Sequence, residues 1–385
     1  MTVQLFRSDA YLSSFEAVVV QAREGSVCLS QTAFYPSGGG QVYDLGTLNG
    51  LPVQKTSFED GKIWHHLDTD LSLGAEVHGQ LDWARRFDAM QQHTGEHLLG
   101  QAFFRLGRHV LAVNMEHSVC TLDLTEVTTW EMAMQAEKMV NDAIMAALPI
   151  STYEVPDSEI HTVPLRRTSK VQGLIRVVQI GDFDYTACGG THTSKSSEVG
   201  LLKILKIERI KGTATRIYFN CGTRLLEDYR LKHDFVASLG LRFSSGLDKV
   251  PERTLAALNE LGACKLEISL LRTQLAARIA SSFLRGVVVH ILDDATLLPE
   301  LAKACILREN LIAILGAMDG SKALLAVTCG RNTKTQARDI LALGLPFIDG
   351  KGGGKTDLAQ GSGLKTTGLD AALEAMRASV LETTQ

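Results

Sequence analysis

Two residue pairs lying far apart in the chain constrain its fold more than any other feature. His93 and His97 stand four residues apart in HTGEH, and Cys188 and His192 stand four apart in CGGTH. On a helix that spacing puts two side chains on one face, so both imidazoles of the first pair can aim at one ion. In the second pair, two glycines let the backbone turn tightly enough to direct a thiol and an imidazole at one point. Three imidazole nitrogens and one thiolate form a borderline-soft tetrahedral set that suits Zn(2+), one ion per chain. A fold that shares the ion must bring the CGGTH loop back onto the HTGEH helix. The other histidines show no comparable pairing, and His65-His66 reads as a partly exposed turn within a strand.

The role of such a metal is left with two readings. Four protein donors close a tetrahedral site, which is the structural pattern, whereas catalytic zinc keeps one position open. If a position opens or one ligand is displaced, the ion can acidify a bound water and polarise an ester carbonyl.

Around these pairs the chain changes its periodicity several times, as 385 residues and a prior of about 150 per domain lead one to expect. The expected class is α+β. Residues 1–85 read as a small β-barrel, because short apolar or alternating runs are cut by Gly, Pro and Asn-Gly turns. Within them SGGGQ is a turn that needs glycine backbone angles or a close approach. Residues 86–224 read as a helix-plus-antiparallel-sheet domain holding the metal residues. Its first helix carries Phe87, Met90, His93, Thr94, His97, Leu98, Gln101 and Phe104 at three-four spacing. Residues 225–284 form a helical connecting arm, amphipathic in its last part. Residues 285–385 alternate strand and helix, an α/β domain ending in the glycine- and lysine-rich loop IDGKGGGKTDLAQGSG and a last helix.

Composition excludes several classes. With 45% apolar and 21% charged residues, global disorder is out. No apolar run reaches the ~18 residues of a membrane span, and the first residues lack the layout of a secretory signal, so a cytoplasmic location is expected. Seven scattered cysteines are odd in number and read as reduced thiols rather than a disulfide framework. A net charge of −4 argues against nucleic-acid binding by bulk electrostatics but leaves local patches. Lys203, Lys206, Arg209, Lys211 and Arg216 follow the CGGTH loop, and Arg166, Arg167 and Lys170 precede it. Arg331, Lys334, Lys351 and Lys355 surround GKGGGK and are better candidates, since glycine amides reach phosphate unhindered.

HTGEHLL, CGGTH, FYPSGGGQVYDLG, RVVQIGDFDYTACGGTH and EVGLLKILKIERIKGTATRIYF together resemble the editing half of alanyl-tRNA synthetase. They are more similar still to its free-standing relatives, the alanyl-tRNA editing proteins of the AlaX group. The resemblance covers residues 5–225 and continues more weakly through the arm into a C-terminal domain like the synthetase's own, which is the long form of the group. No ATP- or amino-acid-activating half is present, so aminoacylation is not implied. The resemblance implies an aminoacyl-tRNA deacylase that hydrolyses the ester of a wrong amino acid on tRNA(Ala), chiefly serine, with glycine a second candidate. A synthetase pocket for alanine rejects serine weakly, so a second sieve must destroy the error. It implies His93, His97, Cys188 and His192 as metal ligands.

Further roles follow from the same resemblance. Backbone N–H groups of Gly189, Gly190 and Thr191 could hold a carbonyl or developing oxyanion. Thr94 and Thr191 are candidates for the serine hydroxyl, although a helix threonine can equally bond its preceding turn. Gln41 follows the glycine turn, facing the site or serving only the turn. Glu96 reads as a general base, a ligand-orienting group or a solvated helix charge. Contact with the tRNA body falls to the loop with Arg331, Lys334, Lys351 and Lys355, and a homodimer through the C-terminal region is permitted.

Three rivals exist. Gly354-Lys355-Thr356 invites a P-loop reading, but Asp349 stands where that motif requires glycine. His93-Thr-Gly-Glu-His97 fits the H-x-x-E-H pattern of zinc proteases, although a thiolate ligand blunts the Lewis acidity that peptide hydrolysis needs. A tRNA-binding protein with a structural zinc and no turnover is the third.

Overall fold

The computed structural model describes residues 2–115, 118–168 and 172–382, so Lys170 lies outside the described residues. The chain divides into two compact units, residues 1–238 and 239–385. The first unit begins with β1 (Val3–Gln4), a short helix α1 (Leu5–Ser8), β2 (Ser14–Arg23), β3 (Ser26–Leu29), β4 (Gln31–Thr32), β5 (Gly46–Leu48), β6 (Leu51–Glu59), β7 (Lys62–Leu67) and β8 (Glu76–Leu81). Six of these strands close into a ring in the order β2-β3-β7-β6-β5-β8, and β1 pairs with β4. Alternate residues face inward, so Phe15, Ala17, Val19, Leu29, Leu48, Val53, Val77 and Leu81 fill one apolar core.

His65 departs from the sequence reading. It is fully buried in the ring wall on β7, with Nε2 2.8 Å from the Thr32 hydroxyl, while His66 stays partly exposed. Burial holds the His65 pKa down to about 4. In the unfolded chain a histidine titrates near ~6.5, so below that pH the unfolded state takes up a proton that the folded state refuses. Between pH 6.5 and 4 the stability therefore falls, by about 3 kcal/mol at ~1.36 kcal/mol per pK unit. Urea titrations at both ends of that window should show a His65→Gln variant with a pH dependence shallower by about that amount; an unchanged dependence would contradict this assignment.

Past the ring the period switches to helix. Asp82 caps α2 (Trp83–Arg105) by accepting from the Arg85 N–H at 3.1 Å. Then come β9 (Val110–Asn114), β10 (Cys120–Leu124), α3 (Trp130–Met145), β11 (Ile150–Pro156), β12 (Leu174–Ile180), β13 (Asp184–Ala187), β14 (Leu202–Arg209), β15 (Thr215–Cys221) and α4 (Gly222–Arg242). Strands β14-β15-β10-β9 form one antiparallel sheet and β11-β12-β13 another. Helices α2 and α3 share a core with the larger sheet through Leu98, Leu99, Phe103, Val140, Ile144, Leu122, Ile217 and Phe219.

Helix α2 is not amphipathic in practice. Every residue from Ala89 to Gly100 is buried, polar ones included. The buried glutamines are satisfied by backbone: Gln92 Nε2 donates to the Cys221 carbonyl at 3.0 Å and its Oε1 accepts the Cys221 N–H at 3.0 Å. Gln91 donates to the Glu198 carbonyl at 2.8 Å. Nearer its start, the fully buried Arg86 donates through Nε to both oxygens of Asp44, at 3.1 and 3.0 Å, and through a terminal nitrogen to the Ala10 carbonyl at 2.8 Å. That pair fastens the helix to the chain entering the ring.

The second unit contains α5 (Val250–Ser282), β16 (Gly286–Leu292), α6 (Leu298–Ile306), β17 (Leu311–Asp319), β18 (Lys322–Cys329), α7 (Ala337–Gly344), β19 (Gly350–Gly354), β20 (Leu358–Gly363) and α8 (Leu369–Glu382). Its sheet runs β16-β17-β18-β20-β19, with β16 and β17 parallel and the other pairs antiparallel. Inner strand β17 is buried on both faces: Ile312 and Ile314 meet α7 and α8, while Leu311, Ala313 and Leu315 meet α6 and the end of α5. The expected glycine loop is instead a hairpin. Gly350–Gly354 pair with Ala359–Gly363, because backbones crowd here and a Cβ on Gly354 would sit 2.2 Å from the Leu358 carbonyl oxygen. Among the described residues, no helix is long and apolar enough to cross a membrane.

Candidate metal centre

His93 and His97 lie one turn apart on α2, and β13 delivers the CGGTH loop against them. The loop is held by Arg176 on β12, whose carbonyl accepts the Cys188 N–H at 3.0 Å. The Arg176 guanidinium donates to the carbonyls of Cys188 at 2.9 Å and Gly190 at 3.0 Å. The ligand atoms of His93, His97, Cys188 and His192 consequently lie within 4.8 Å of one another. The Cys188 Sγ is 3.4 Å from Nε2 of both His93 and His192.

Two of the three imidazoles have the far nitrogen hydrogen-bonded, and the third, His97, turns it to a carboxylate beyond hydrogen-bond reach. His93 Nδ1 lies 2.7 Å from Gln41 Oε1, His192 Nδ1 lies 3.3 Å from Thr94 Oγ1, and His97 Nδ1 faces the Asp184 carboxylate at 3.5 Å. A partner on Nδ1 fixes the tautomer that leaves Nε2 free for a metal, as outer-shell groups do in metal sites. Asp184, fully buried, was missed by sequence reasoning, as was Arg176; both sit inside RVVQIGDFDYTACGGTH.

The electrostatics fit a cation. Burial opposes ionisation of Cys188, yet the surrounding His93, His97 and His192 rings hold its thiol well below the usual range. Burial and the charge of His93 and His97 push His192 well down, toward the neutral ligand form. Burial would also discharge His97, but the Cys188 sulfur and Asp184 carboxylate lift it to about 10. The cluster thus gathers a thiolate and imidazoles around a charge that a soft divalent ion can supply, and three nitrogens with one sulfur match zinc.

The remaining expected residues have defined partners. Gln41 bridges the two halves: its Oε1 also accepts the Thr191 N–H at 3.0 Å, and its Nε2 donates to Thr191 Oγ1 at 2.8 Å. The Thr94 hydroxyl accepts the Thr193 N–H at 3.2 Å, besides contacting His192, so it bonds across to the loop and not to its own helix. The Gly190 N–H points at Cys188 Sγ, 3.4 Å away. Two of the three loop amides expected to hold a carbonyl, those of Gly190 and Thr191, are therefore already engaged. Glu96 is buried and not solvated, with its carboxylate 3.9 Å from His97 Nε2 and 3.9 Å from the Arg166 guanidinium.

Glycine is obligatory at residue 190: a Cβ there would sit 2.2 Å from His93 Cε1 and 2.8 Å from Gln41 Oε1. Gly190→Ala must displace a ligand and its tether together, and metal affinity is expected to fall at least about 10–100-fold. Competition with a chelating indicator checks it; unaltered affinity would contradict this packing. The glycine turn is just as confined, since a Cβ on Gly40 (φ +84°) would lie 2.9 Å from Val113 Cγ2.

The expected basic clusters divide. Lys203, Lys206 and Arg216 are paired with Glu137 (2.8 Å), Glu208 (3.2 Å) and Asp123 (2.7 Å), which neutralises much of that sheet face. Arg331, Lys334, Lys351 and Lys355 are all exposed, in the second unit, on the loop after β18 and on the β19 hairpin. Arg166 and Arg167 instead line a cleft of about 1040 Å³ that reaches Cys188, Gly189 and Glu96.

Comparison with known proteins agrees with this layout. Residues 175–218 match the family described as the threonyl and alanyl tRNA synthetase second additional domain. An alanine–tRNA ligase of Pyrococcus abyssi is 31% identical across 94% of this chain, which spans 42% of that protein. The chain thus covers less than half the length of the ligases it matches. The alanyl-tRNA editing protein AlaX-L of Pyrococcus horikoshii is 28% identical, with 94% of each chain covered.

Proposed function

The chain resembles the alanyl-tRNA editing proteins of the AlaX group in their long form, and from that premise we propose that it hydrolyses wrongly attached amino acids, chiefly serine, from tRNA(Ala). The observation that carries the reading is the meeting of His93, His97, Cys188 and His192 at a cleft roomy enough for an aminoacylated ribose. Zinc held there would polarise the ester carbonyl and acidify water. The chain's own residues supply the rest. Glu96, buried beside His97 and lining the cleft, accepts the proton of the attacking water. Gly189 borders the cleft, and nothing lies within 4 Å of its Cβ position, so its backbone is the part of the loop that the ester carbonyl approaches. Gln41, Thr94 and Asp184 keep the three imidazoles oriented. In the second unit Arg331, Lys334, Lys351 and Lys355 contact the tRNA body, and that unit offers the surface for a homodimer.

One observation favours a second reading. Four protein donors complete a tetrahedron, the arrangement of a structural zinc without turnover. Incubating the protein with Ser-tRNA(Ala), Gly-tRNA(Ala), Ala-tRNA(Ala) and a generic peptide pool separates the possibilities. Rapid loss of the seryl ester, slower or no loss of the alanyl ester and intact peptides are expected. Peptide cleavage, or no hydrolysis of any ester by zinc-loaded protein, would overturn the proposal.

A further inference from the structure

The N-terminal part of the chain grips the loop of Cys188 and His192 at two places. Gln41 holds it ahead of His192, at Thr191. Beyond His192 the partner is Tyr11, in the connection between α1 and β2. Its phenol oxygen accepts the Ser194 N–H at 2.7 Å and donates to Glu198 Oε2 at 2.5 Å. The other Glu198 oxygen receives the Ser194 hydroxyl and, at 3.1 Å, the Lys195 N–H. One carboxylate and one phenol thus fasten the backbone that leaves the metal loop, with bonds to an ionised acceptor, which are the stronger kind.

Tyr11 is itself placed with little freedom. The neighbouring Ala10 carbonyl accepts from the buried Arg86 at 2.8 Å, and the Tyr11 N–H donates to Asp9 Oδ1 at 2.8 Å. Its ring lies against Trp83 at the start of α2, centroids 5.7 Å apart. Burial and the Glu198 carboxylate push the phenol up to about 12, so it keeps its proton and goes on donating. Glu198 is anchored in turn, its carbonyl accepting from Gln91 Nε2 at 2.8 Å, two residues before His93 on α2. His192 has the weaker side-chain tether, 3.3 Å to Thr94 Oγ1 against the 2.7 Å that joins His93 to Gln41. More of its aim therefore falls to the backbone on either side.

We propose that Tyr11 is a positioning residue for the metal centre: by clamping Ser194 to Glu198 it sets the backbone from which His192 reaches the ion. The role rests on reading His93, His97, Cys188 and His192 as a metal centre, and not on the ester chemistry. It makes the N-terminal arm part of the metal-binding apparatus, although that arm contributes none of the four ligands. Removing the hydroxyl alone takes away one donor and one acceptor and leaves the ring on Trp83, so the clamp can be opened without emptying the packing beneath it.

The test reads the metal and not turnover. The full chain is loaded with cobalt(II), whose visible absorption reports the geometry and donors of its site, and affinity is measured by competition with a chelating indicator. In Tyr11→Phe the affinity is expected to fall about 10-fold, the low end of what outer partners of metal ligands contribute, and the absorption bands to shift. Tyr218→Phe is the control. It deletes a phenol that donates to Glu208 at 2.6 Å, on β15, and should leave cobalt affinity and spectrum as in the wild type. The melting temperatures of the two variants record the general cost of losing such a bond. No change at the metal in Tyr11→Phe, or equal changes in both variants, overturns the proposal. If Tyr11→Phe fails to fold, Glu198→Gln decides, since it keeps one of the two acceptor oxygens: a weakened, shifted cobalt site supports the clamp and an unaltered one overturns it. A wild type that takes up no cobalt overturns the clamp and the metal centre together. Cobalt binding that weakens in Tyr11→Phe, with no hydrolysis of Ser-tRNA(Ala) by zinc-loaded wild type, leaves the clamp standing and sinks the deacylase reading.

Discussion

Replacing His97 by alanine should lower hydrolysis of Ser-tRNA(Ala) by at least about 10³-fold while the protein stays folded and still binds tRNA. The magnitude follows from removing a Lewis acid worth several kcal/mol of transition-state stabilisation, at ~1.36 kcal/mol per tenfold in rate. Folding should survive, because the apolar core around Leu98, Phe103, Ile217 and Phe219 and the tether through Arg86 do not pass through the metal. The result divides the two readings of a four-donor site. A purely structural metal predicts that the variant loses its fold and its tRNA binding together. Single-turnover deacylation, with circular dichroism and a tRNA-binding titration on the same sample, distinguishes them.

Asp44→Asn should destabilise the first unit by about 3–5 kcal/mol, the cost of leaving a buried charge without its partner. Arg86 is 0% exposed and Asp44 1%, so water cannot take over the solvation of the guanidinium. Asp44 also accepts the Tyr35 N–H at 2.7 Å, which locks the segment leading into the glycine turn and Gln41. A loss of this size is a large share of the ~5–15 kcal/mol that ordinarily holds a domain folded. Exchanging both partners for apolar residues, Arg86→Met with Asp44→Leu, should cost less than either change alone, since no unpaired charge remains. Urea unfolding followed by tryptophan fluorescence gives these values. A single-variant loss below about 1 kcal/mol would show that the pair is not buried as described.

The metal residues were legible because both pairs advertise themselves locally: helical spacing for His93 and His97, and a two-glycine hinge for Cys188 and His192. Their outer partners were not. Asp184 and Arg176 reach the site from adjacent strands, and nothing local distinguishes a carboxylate that will face His97 from one that will face water. Gln41 could be suspected from its place after the glycine turn, but its bridging of His93 and Thr191 depends on the ring of strands docking on α2. The helix itself was legible from its three-four spacing, but its all-round burial was not: buried glutamines bonded to β15 and to Glu198 let polar residues enter the core on every side, so Glu96 is no solvated charge. The β19 hairpin was read as a loop since glycine signals turns; there the glycines serve instead to let strands approach each other. The two-unit division at residues 238 and 239 falls within α4, where continuous helical periodicity gives no mark.

The claim beneath all of this is that one cation unites α2 with the CGGTH loop. Elemental analysis of protein purified without added metal, compared with a Cys188→Ser variant, tests it most directly. About one zinc per chain in the wild type, and far less than that in a variant that remains folded, is the predicted result. A folded wild type that holds no metal and takes up none from a buffered zinc solution, or a variant that keeps the full complement, would contradict it.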